Sequence, residues 1–387
     1  LIQKLFTDKK LKGIVVAMDA ELSPVLDILK PYQTFKFLDR TFFYNDSAIA
    51  VKSGIGELSS ASAAESLIAL LGGKQNLDSI INVGLCGSLH DGYKVGDILM
   101  VKDVVHYDFD VTGIDNVQKG QYPGAESQFL SADISYFDSL QKIYEDKIKL
   151  VRCASGDKFI SDIKIQKQIV QDFSADICEM EAAGVILTAG KHGIPVIIIK
   201  AVSDVVSSQD SLKDFKESKD TVTKNYIDVL KLILEDKVTR TIASFNINHN
   251  KLEEGFYTSR VDDDIYTYDL RFTKPNKGDY LSLESMHSAE HLVATALRNG
   301  KDKDKIIYFG PMGCRTGFYL LLKNADYDEA KRIIETALES IASAKEVDGT
   351  KEIECGNAAC HSLEAAQKDC KEYLKKIKGK KFKYPAY

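Results

Sequence analysis

The chain has no run near the roughly 18 consecutive apolar residues that a membrane helix needs, so a bilayer-spanning protein is not expected. Its opening lacks the charged, then apolar, then small-residue succession of a secretory signal. The first residue is Leu1 rather than methionine, so some N-terminal sequence is expected to be missing. Excess positive charge is also absent: 51 Lys and Arg face 57 Asp and Glu, a net charge of −6. That balance argues against a nucleic-acid or membrane partner. The one basic stretch, EYLKKIKGKKFKYPAY (372–387), reads as a solvated helix end and a docking tail. The seven cysteines are odd in number and irregular in spacing, which makes no disulfide framework. Reduced thiols and a cytoplasmic setting are expected instead. Repeats and low-complexity segments are missing as well.

What is present is enough for two domains. A length of 387 residues exceeds the usual single domain, and 44% hydrophobic with 28% charged residues suits folded cores. Histidine is scarce, at seven residues, yet two of the seven fall in HSAEH (287–291). Around them Leu283, Met286, Leu292, Val293 and Leu297 recur at helical spacing. On such a helix His287, Glu290 and His291 share one face, so two imidazoles one turn apart can grip a divalent metal beside a carboxylate. An amphipathic helix with two incidental histidines is the plainer reading. HxxEH also occurs in inverted metalloproteases, which take a downstream carboxylate as third ligand.

The flanking motifs narrow this. ASFNINHNK (243–251) and YDLRFTKPNKGD (268–279) precede the helix, and IIYFGPMGCRTGFY (306–319) and IECGNAACHSLE (353–364) follow it. The order SFxxxH, DLRFxxPN, HxxEH, PMGCRTGFY and a late CG resembles the S-ribosylhomocysteinase (LuxS) family over about residues 241–375. The resemblance implies an α+β domain, an antiparallel sheet packed with helices. It implies one divalent ion per chain, iron(II) or zinc with cobalt also accepted, held by His287, His291 and Cys355 with a fourth position open. Glu290 and Cys314 would move protons while S-ribosylhomocysteine is cleaved to homocysteine and dihydroxypentanedione, the autoinducer-2 precursor. Ser244, His249 and Arg271 would hold the sugar and the amino-acid end. Arg315 or the metal is the expected support for a Cys314 thiolate. Cys360 is the competing thiol ligand, and Tyr308 and Gly310 depart from the polar residues usual before PMGC.

The first half alternates strands with helices. GIVVAM (13–18), AIAVKS (48–53), SIINVGLCGSL (79–89), VGDILMVKDVVHYDFDVT (95–112), CASGDKFI (153–160) and PVIIIKAVSD (195–204) read as strand-rich segments. ELSPVLDILK, LSSASAAESLIALLG and the end of ADICEMEAAGVILTAGKHGIP read as helices, and 219–237 as one closing helix. Such alternation predicts an α/β domain. Gly54-Ile55-Gly56 half-matches a dinucleotide fingerprint, but the third glycine is missing and no glycines follow the first strand. Glu179 and Glu181 flank Met180 in a small-residue stretch, where a buried carboxylate must pair or bind something. Exposed first-turn helix carboxylates are the plainer alternative.

AMDAEL, VKSGIG, VGDI, DVT, GQYPG, SGDKFI, CEMEAAG and KAVSDV occur in the order of methylthioadenosine/S-adenosylhomocysteine nucleosidases, and the resemblance covers about residues 12–236. It implies a nucleoside phosphorylase-like three-layer sandwich. Asp204 would protonate adenine, held by Ser203, and Glu21 would activate water. Glu181, with Glu179 and Met180 beside it, would grip the ribose, Ile55 and Phe159 would contact the ligand, and the backbone of Ile160 would read adenine. Leu85 and Cys86 stand where Ser and Ala are usual, and Lys200 stands where Arg is common. The whole chain is therefore expected to run two steps in series, on S-adenosylhomocysteine or methylthioadenosine and then on S-ribosylhomocysteine. The domains would be 1–237 and 238–387, in a homodimer or higher homo-oligomer. The other classes considered are an HxxEH metalloprotease and a binding module with a silenced site.

Overall fold

A computed structural model describes residues 10–145, 147–205, 211–240, 249–262 and 264–384. The chain forms two units, Leu1–Thr241 and Ile242–Tyr387. In the first, chain order runs β1 (Leu11–Val16), α1 (Asp19–Leu29), β2 (Gln33–Phe37), β3 (Arg40–Tyr44), β4 (Ala48–Lys52) and α2 (Glu57–Leu71). Next come β5 (Leu77–Ser88), β6 (Ile98–His106), β7 (Leu130–Ser131), α3 (Phe137–Ile143), β8 (Lys149–Ser155), α4 (Ile163–Phe173) and β9 (Ile177–Glu179). The unit ends with α5 (Ala182–Lys191), β10 (Val196–Val205), α6 (Ser211–Val222) and α7 (Ile227–Leu234).

The apolar strands are buried on both faces, as a helix-covered sheet requires. On β1, Leu11 and Val15 pack with Ala63 and Leu67 of α2, while Ile14 and Val16 pack with Val25 of α1 and Leu230 of α7. This is the expected α/β layering. One feature goes further: β10 pairs with both β5 and β6, so β10, β6, β8, β9 and β5 form a ring, and β1, β4, β3 and β2 extend from β5. A register shift between Val202 and Asp204 breaks the β10–β5 ladder at the strand's C-terminal end. Such irregularities re-aim side chains, and this one falls at Asp204.

Two expectations are corrected here. The single closing helix is two, because the chain turns at 223–226 through i to i−3 hydrogen bonds such as Asn225 N to Val222 O. Asn225 Nδ2 donates to the Gly96 carbonyl at 2.8 Å, a tertiary bond that helical periodicity does not register. Residues 238–240, expected to open the second domain, belong to the first. Val238 is buried in its core, Thr239 O accepts from Ser139 Oγ, and Arg240 pairs with Asp78.

In the second unit β11 (Gly255–Asp262), β12 (Ile265–Arg271), β13 (Ile306–Pro311) and β14 (Gly317–Lys323) form an antiparallel sheet in the order β11-β12-β14-β13. Three helices, α8 (Leu283–Asn299), α9 (Tyr327–Ile341) and α10 (Leu363–Ile377), share one core with it. Met286, Leu292, Val293 and Leu297 of α8 enter that core. Leu283 does not: it is the first helical residue, after the Ser282 cap, and is 58% exposed. The basic tail lies on its own unit, with Lys376 paired to Glu254 and Lys381 to Asp328. Among the described residues no helix is long and apolar enough to cross a membrane, and all seven cysteines are free thiols.

Candidate active sites

In the first unit a cavity of about 340 Å³ opens at the C-terminal ends of β1, β5 and β10. Glu21, Ile55, Phe159, Glu179, Met180, Glu181, Ser203 and Asp204 all line it. Ile160 joins Phe159, Met180 and Asp204 around a smaller adjoining space. Phe215 of α6 also lines the cavity, with its ring edge-on to Phe159 at 5.6 Å. Sequence reasoning missed it, and its place in the amphipathic LKDFKE stretch was the available signal.

Ser203 Oγ donates to Asp204 Oδ1 at 2.8 Å. Burial pushes the Asp204 carboxyl up to about 6, against that hydrogen bond and with help from Asp214. Glu21 sits in the first turn of α1 and accepts from the amides of Ala17 and Met18 through Oε2 and of Leu85 through Oε1. Gly84 leaves the room, since a Cβ there would stand 2.7 Å from Glu21 Oε1. Burial raises the Glu21 carboxyl despite Lys200 and these amides. Leu85 lines the cavity with a hydrocarbon side chain.

Glu179 borders the cavity, but its carboxylate is taken up elsewhere. Lys200 Nζ donates to it at 2.7 Å, with both side chains nearly fully buried, and the amides of Glu181 and Ala182 donate as well. Burial works to raise Glu179, but Lys200 prevails and holds it below the usual range. Among the described residues the Glu181 carboxylate accepts from the Gly56 amide alone, at 3.1 Å, and burial followed by Glu179 pushes it up to about 8. Of the two carboxylates, Glu181 is the one left for a ligand.

In the second unit His287, His291, Cys355 and His361 bring their ligand atoms within 4.8 Å of one another. His287 Nδ1 lies 3.0 Å from the Cys360 carbonyl and His291 Nδ1 2.8 Å from the Asp348 carbonyl. A carbonyl only accepts, so both rings carry a proton on Nδ1 and present Nε2 for a metal. Cys355 Sγ is 3.4 Å from His287 Nε2 and 3.6 Å from His361 Nε2. Tetrahedral bonds of about 2.3 Å to sulfur and 2.0–2.1 Å to nitrogen put such atoms roughly 3.5 Å apart, so the cluster fits a metal. His361, absent from the expected ligand set, brings a fourth ligand atom to the cluster. Cys360 supplies a backbone carbonyl that orients His287, and its thiol is outside the cluster. Beside the two α8 histidines the cluster holds the Cys355 thiol, the donor expected from the LuxS pattern rather than from the protease one.

Glu290 is half-buried on α8, beside His291. Cys314 is exposed at the turn between β13 and β14. Thr316 Oγ1 is 3.1 Å from its Sγ, and Arg271 Nη1 3.9 Å. Partial burial opposes ionisation, but Thr316 and Arg271 hold the thiol below its usual value. Arg315, the expected support, instead lies 5.7 Å over the ring of Tyr280. Arg271 itself is buried and bound to Asp269 and Thr316, which leaves it little freedom to reach a ligand. Tyr308 and Gly310 are coupled, because a Cβ at Gly310 would collide with the Tyr308 hydroxyl. His249 is half-buried in the turn before β11, next to Asn250, which accepts from Asn276. Ser244 lies outside the described residues.

Comparison with known proteins agrees with this division. The S-Ribosylhomocysteinase (LuxS) profile matches residues 242–383 and the Phosphorylase superfamily profile residues 12–235. The S-ribosylhomocysteine lyase of Listeria monocytogenes serotype 4b is 42% identical over 142 residues, 35% of this chain and 90% of the relative. The chain belongs to both families. Its lyase domain is also 40% identical to the S-ribosylhomocysteine lyase of Halobacillus halophilus, over 35% of this chain and 91% of that one. Its phosphorylase-superfamily domain has the fold of the Helicobacter pylori 5'-methylthioadenosine/S-adenosylhomocysteine nucleosidase. That match has TM-score 0.55 and 24% identity, over 60% of this chain and 100% of that one. Futalosine hydrolase of the same organism shares the fold at TM-score 0.54 and 22% identity, over 59% and 98%. The Streptococcus pyogenes S-adenosylhomocysteine nucleosidase matches at TM-score 0.54 and 25% identity, over the same 59% and 98%. The chain thus joins a phosphorylase-superfamily domain to a domain of the S-ribosylhomocysteinase family.

Proposed function

We propose that the two domains catalyse consecutive steps: S-adenosylhomocysteine, or methylthioadenosine, loses adenine in the first. S-ribosylhomocysteine is then split in the second to homocysteine and 4,5-dihydroxy-2,3-pentanedione. The observation that carries this reading is that one chain holds both a sealed aspartic acid, Asp204, and a Cys/His cluster that fits a metal. We place the boundary after Thr241, a reading supported by the hydrogen bonds of Arg240 to Tyr136, Asp78 and Ser79 of the first unit.

In the first domain Asp204 donates its proton to N7 of adenine as the glycosidic bond breaks, with Ser203 holding the carboxyl in place. Glu21 takes a proton from the attacking water, and Glu181 accepts hydrogen bonds from the sugar hydroxyls. Phe159 and Phe215 flank the base, Ile55 and Met180 line the sugar side, and the Ile160 backbone reads the base edge. Glu179 is a positioning residue, tied to Lys200 beneath Glu181.

In the second domain His287, His291 and Cys355 hold the ion: iron(II), zinc and cobalt all suit this donor set. A bound ion would supply a Lewis acid for the sugar carbonyl. Cys314 Sγ takes up a carbon-bound proton as thiolate, and a Glu290 carboxylate oxygen carries the other. Thr316 and Arg271 lower the Cys314 thiol and so favour its thiolate, while His249 meets the remaining polar groups of the ligand. The working unit is at least a homodimer in the cytoplasm, consistent with exposed Ile55 in the first cavity, exposed Leu58 on α2 and seven free thiols.

The test is an anaerobic incubation of the metal-loaded chain with S-adenosylhomocysteine, following adenine and free thiol together. Both should appear, thiol after adenine. Stripping the metal should abolish thiol and spare adenine. Thiol release that survives complete metal removal refutes the assignment of the second site.

A further inference from the structure

The first four amides at the start of α5 are all satisfied by side chains from other elements. The amides of Glu181 and Ala182 donate to Glu179, that of Ala183 donates to Ser155 Oγ at 3.1 Å, and that of Gly184 donates to Glu57. A helix start favours negative charge and accepting oxygens. Here, however, two buried carboxylates share one place. Ser155 Oγ is in hydrogen-bond contact with Glu57 Oε1 and with Glu179 Oε1 at once.

A hydroxyl has one hydrogen to give. With both carboxylates ionised, one of these two contacts would set lone pair against lone pair, with no proton between them. One carboxyl must therefore carry a proton. Glu179 has the buried Lys200 ammonium and two amides, so it keeps the charge. Glu57 has a single amide, on Oε2, and its Oε1 faces Ser155.

We propose that Glu57 is a neutral carboxylic acid that donates to Ser155, which donates to Glu179, and that this one-proton chain positions Glu181 for the sugar. Glu57 is not among the residues that line the cavity. Its neighbour Gly56 donates to the Glu181 carboxylate, and Ser60 on the same helix donates to the Glu181 carbonyl at 2.8 Å. The inference rests on the reading of Glu181 as the sugar-binding carboxylate.

The surroundings agree in sign. Burial, then Glu179, pushes Glu57 up to about 7, against Ser155, Gly184 and His106. The ionisable groups around it include Glu179 on β9, His106 on β6 with Asp108, Tyr107, Tyr122, and Asp157 after β8, which accepts from the Glu57 amide at 2.7 Å. Lys200 on β10 acts through Glu179, and Glu181 stands on the far side of that carboxylate. Loss of the Glu57 proton adds a second buried negative charge next to Glu179, so nucleoside binding should weaken as pH rises past neutrality.

Glu57→Gln tests this in the full chain. The carboxamide can donate to Ser155 and accept from Gly184, so the chain of bonds survives and only the titration is lost. Wild-type KM for the nucleoside should rise at least about threefold from about pH 6 to about pH 9, and Glu57→Gln should remove that rise while keeping wild-type KM at the acid end. A tenfold higher KM for Glu57→Gln at pH 6, or a wild-type KM that is flat over the range, overturns the proposal. If the variant does not fold, infrared spectra of the wild type at neutral pH decide. A buried protonated-carboxyl band that shifts in Ser155→Ala supports the chain of bonds, and no shift rejects it. The infrared result stands even if the wild type releases no adenine, which separates failure of this inference from failure of the nucleosidase reading.

Discussion

Arg271 Nη1 lies 3.9 Å from Cys314 Sγ and donates to Thr316 Oγ1 at 2.8 Å, so one buried guanidinium supports the thiolate both directly and through its hydroxyl partner. Arg271→Met keeps much of the bulk and removes the charge. The Cys314 thiol should then titrate at higher pH, which alkylation rate against pH measures. An unshifted profile in a folded variant would assign the low value to Thr316 alone.

Asp204 is protonated in the free cavity up to about pH 6. A general acid works only with its proton, so kcat/KM for adenine release should be level below that pH and fall about tenfold per unit above it. Asp204→Asn should lose about 10²–10⁴-fold in adenine release and still cleave supplied S-ribosylhomocysteine. Undiminished adenine release from the variant removes Asp204 from the mechanism.

Lys200→Met leaves Glu179 buried and unpaired, since the two side chains are 1% and 2% exposed. Breaking a buried pair from one side costs about 3–5 kcal/mol. Urea unfolding followed by probes in the first domain should shift accordingly, with the second domain unmoved. A loss under about 1 kcal/mol would mean that Glu179 takes up a proton at little cost.

Metal content separates the candidate ligands of the second domain. Cys355→Ala should lose most of the bound metal and Cys360→Ala none, because only the Cys360 carbonyl touches the cluster. His361→Ala should weaken affinity less than His291→Ala does, if His361 merely closes the position that ligand later takes. Elemental analysis after dialysis against a chelator gives the order, and a metal-free Cys360→Ala protein contradicts it.

Transfer between the sites is expected to pass through solution. Cys314→Ala given S-adenosylhomocysteine should release adenine normally and accumulate S-ribosylhomocysteine, and added intact lyase domain should restore thiol release. An intermediate that stays enzyme-bound would show internal transfer.

Chemistry that depends on residue type and order was legible in the sequence. The i, i+4 histidines of α8 needed only helical periodicity; Asp204 was placed at the end of an apolar strand by pattern, and its role came from the family resemblance. The two domains followed from two motif series in one chain. Features made by distant segments meeting were not legible. His361 reaches the metal ligands because the segment after Cys355 folds back over α8, where Ser288 Oγ accepts from the Ser362 amide at 2.8 Å and lies 3.3 Å from His361 Nδ1. Arg271 rather than Arg315 supports Cys314 because β12 and β14 pair in register, Arg271 opposite Gly317. Glu57 reads as an ordinary first-turn helix acid until β8 and β9 bring Ser155 and Glu179 against it. Local pattern determines which groups exist and which face they take. The charge each one carries is decided by burial and by the partners that only tertiary packing supplies.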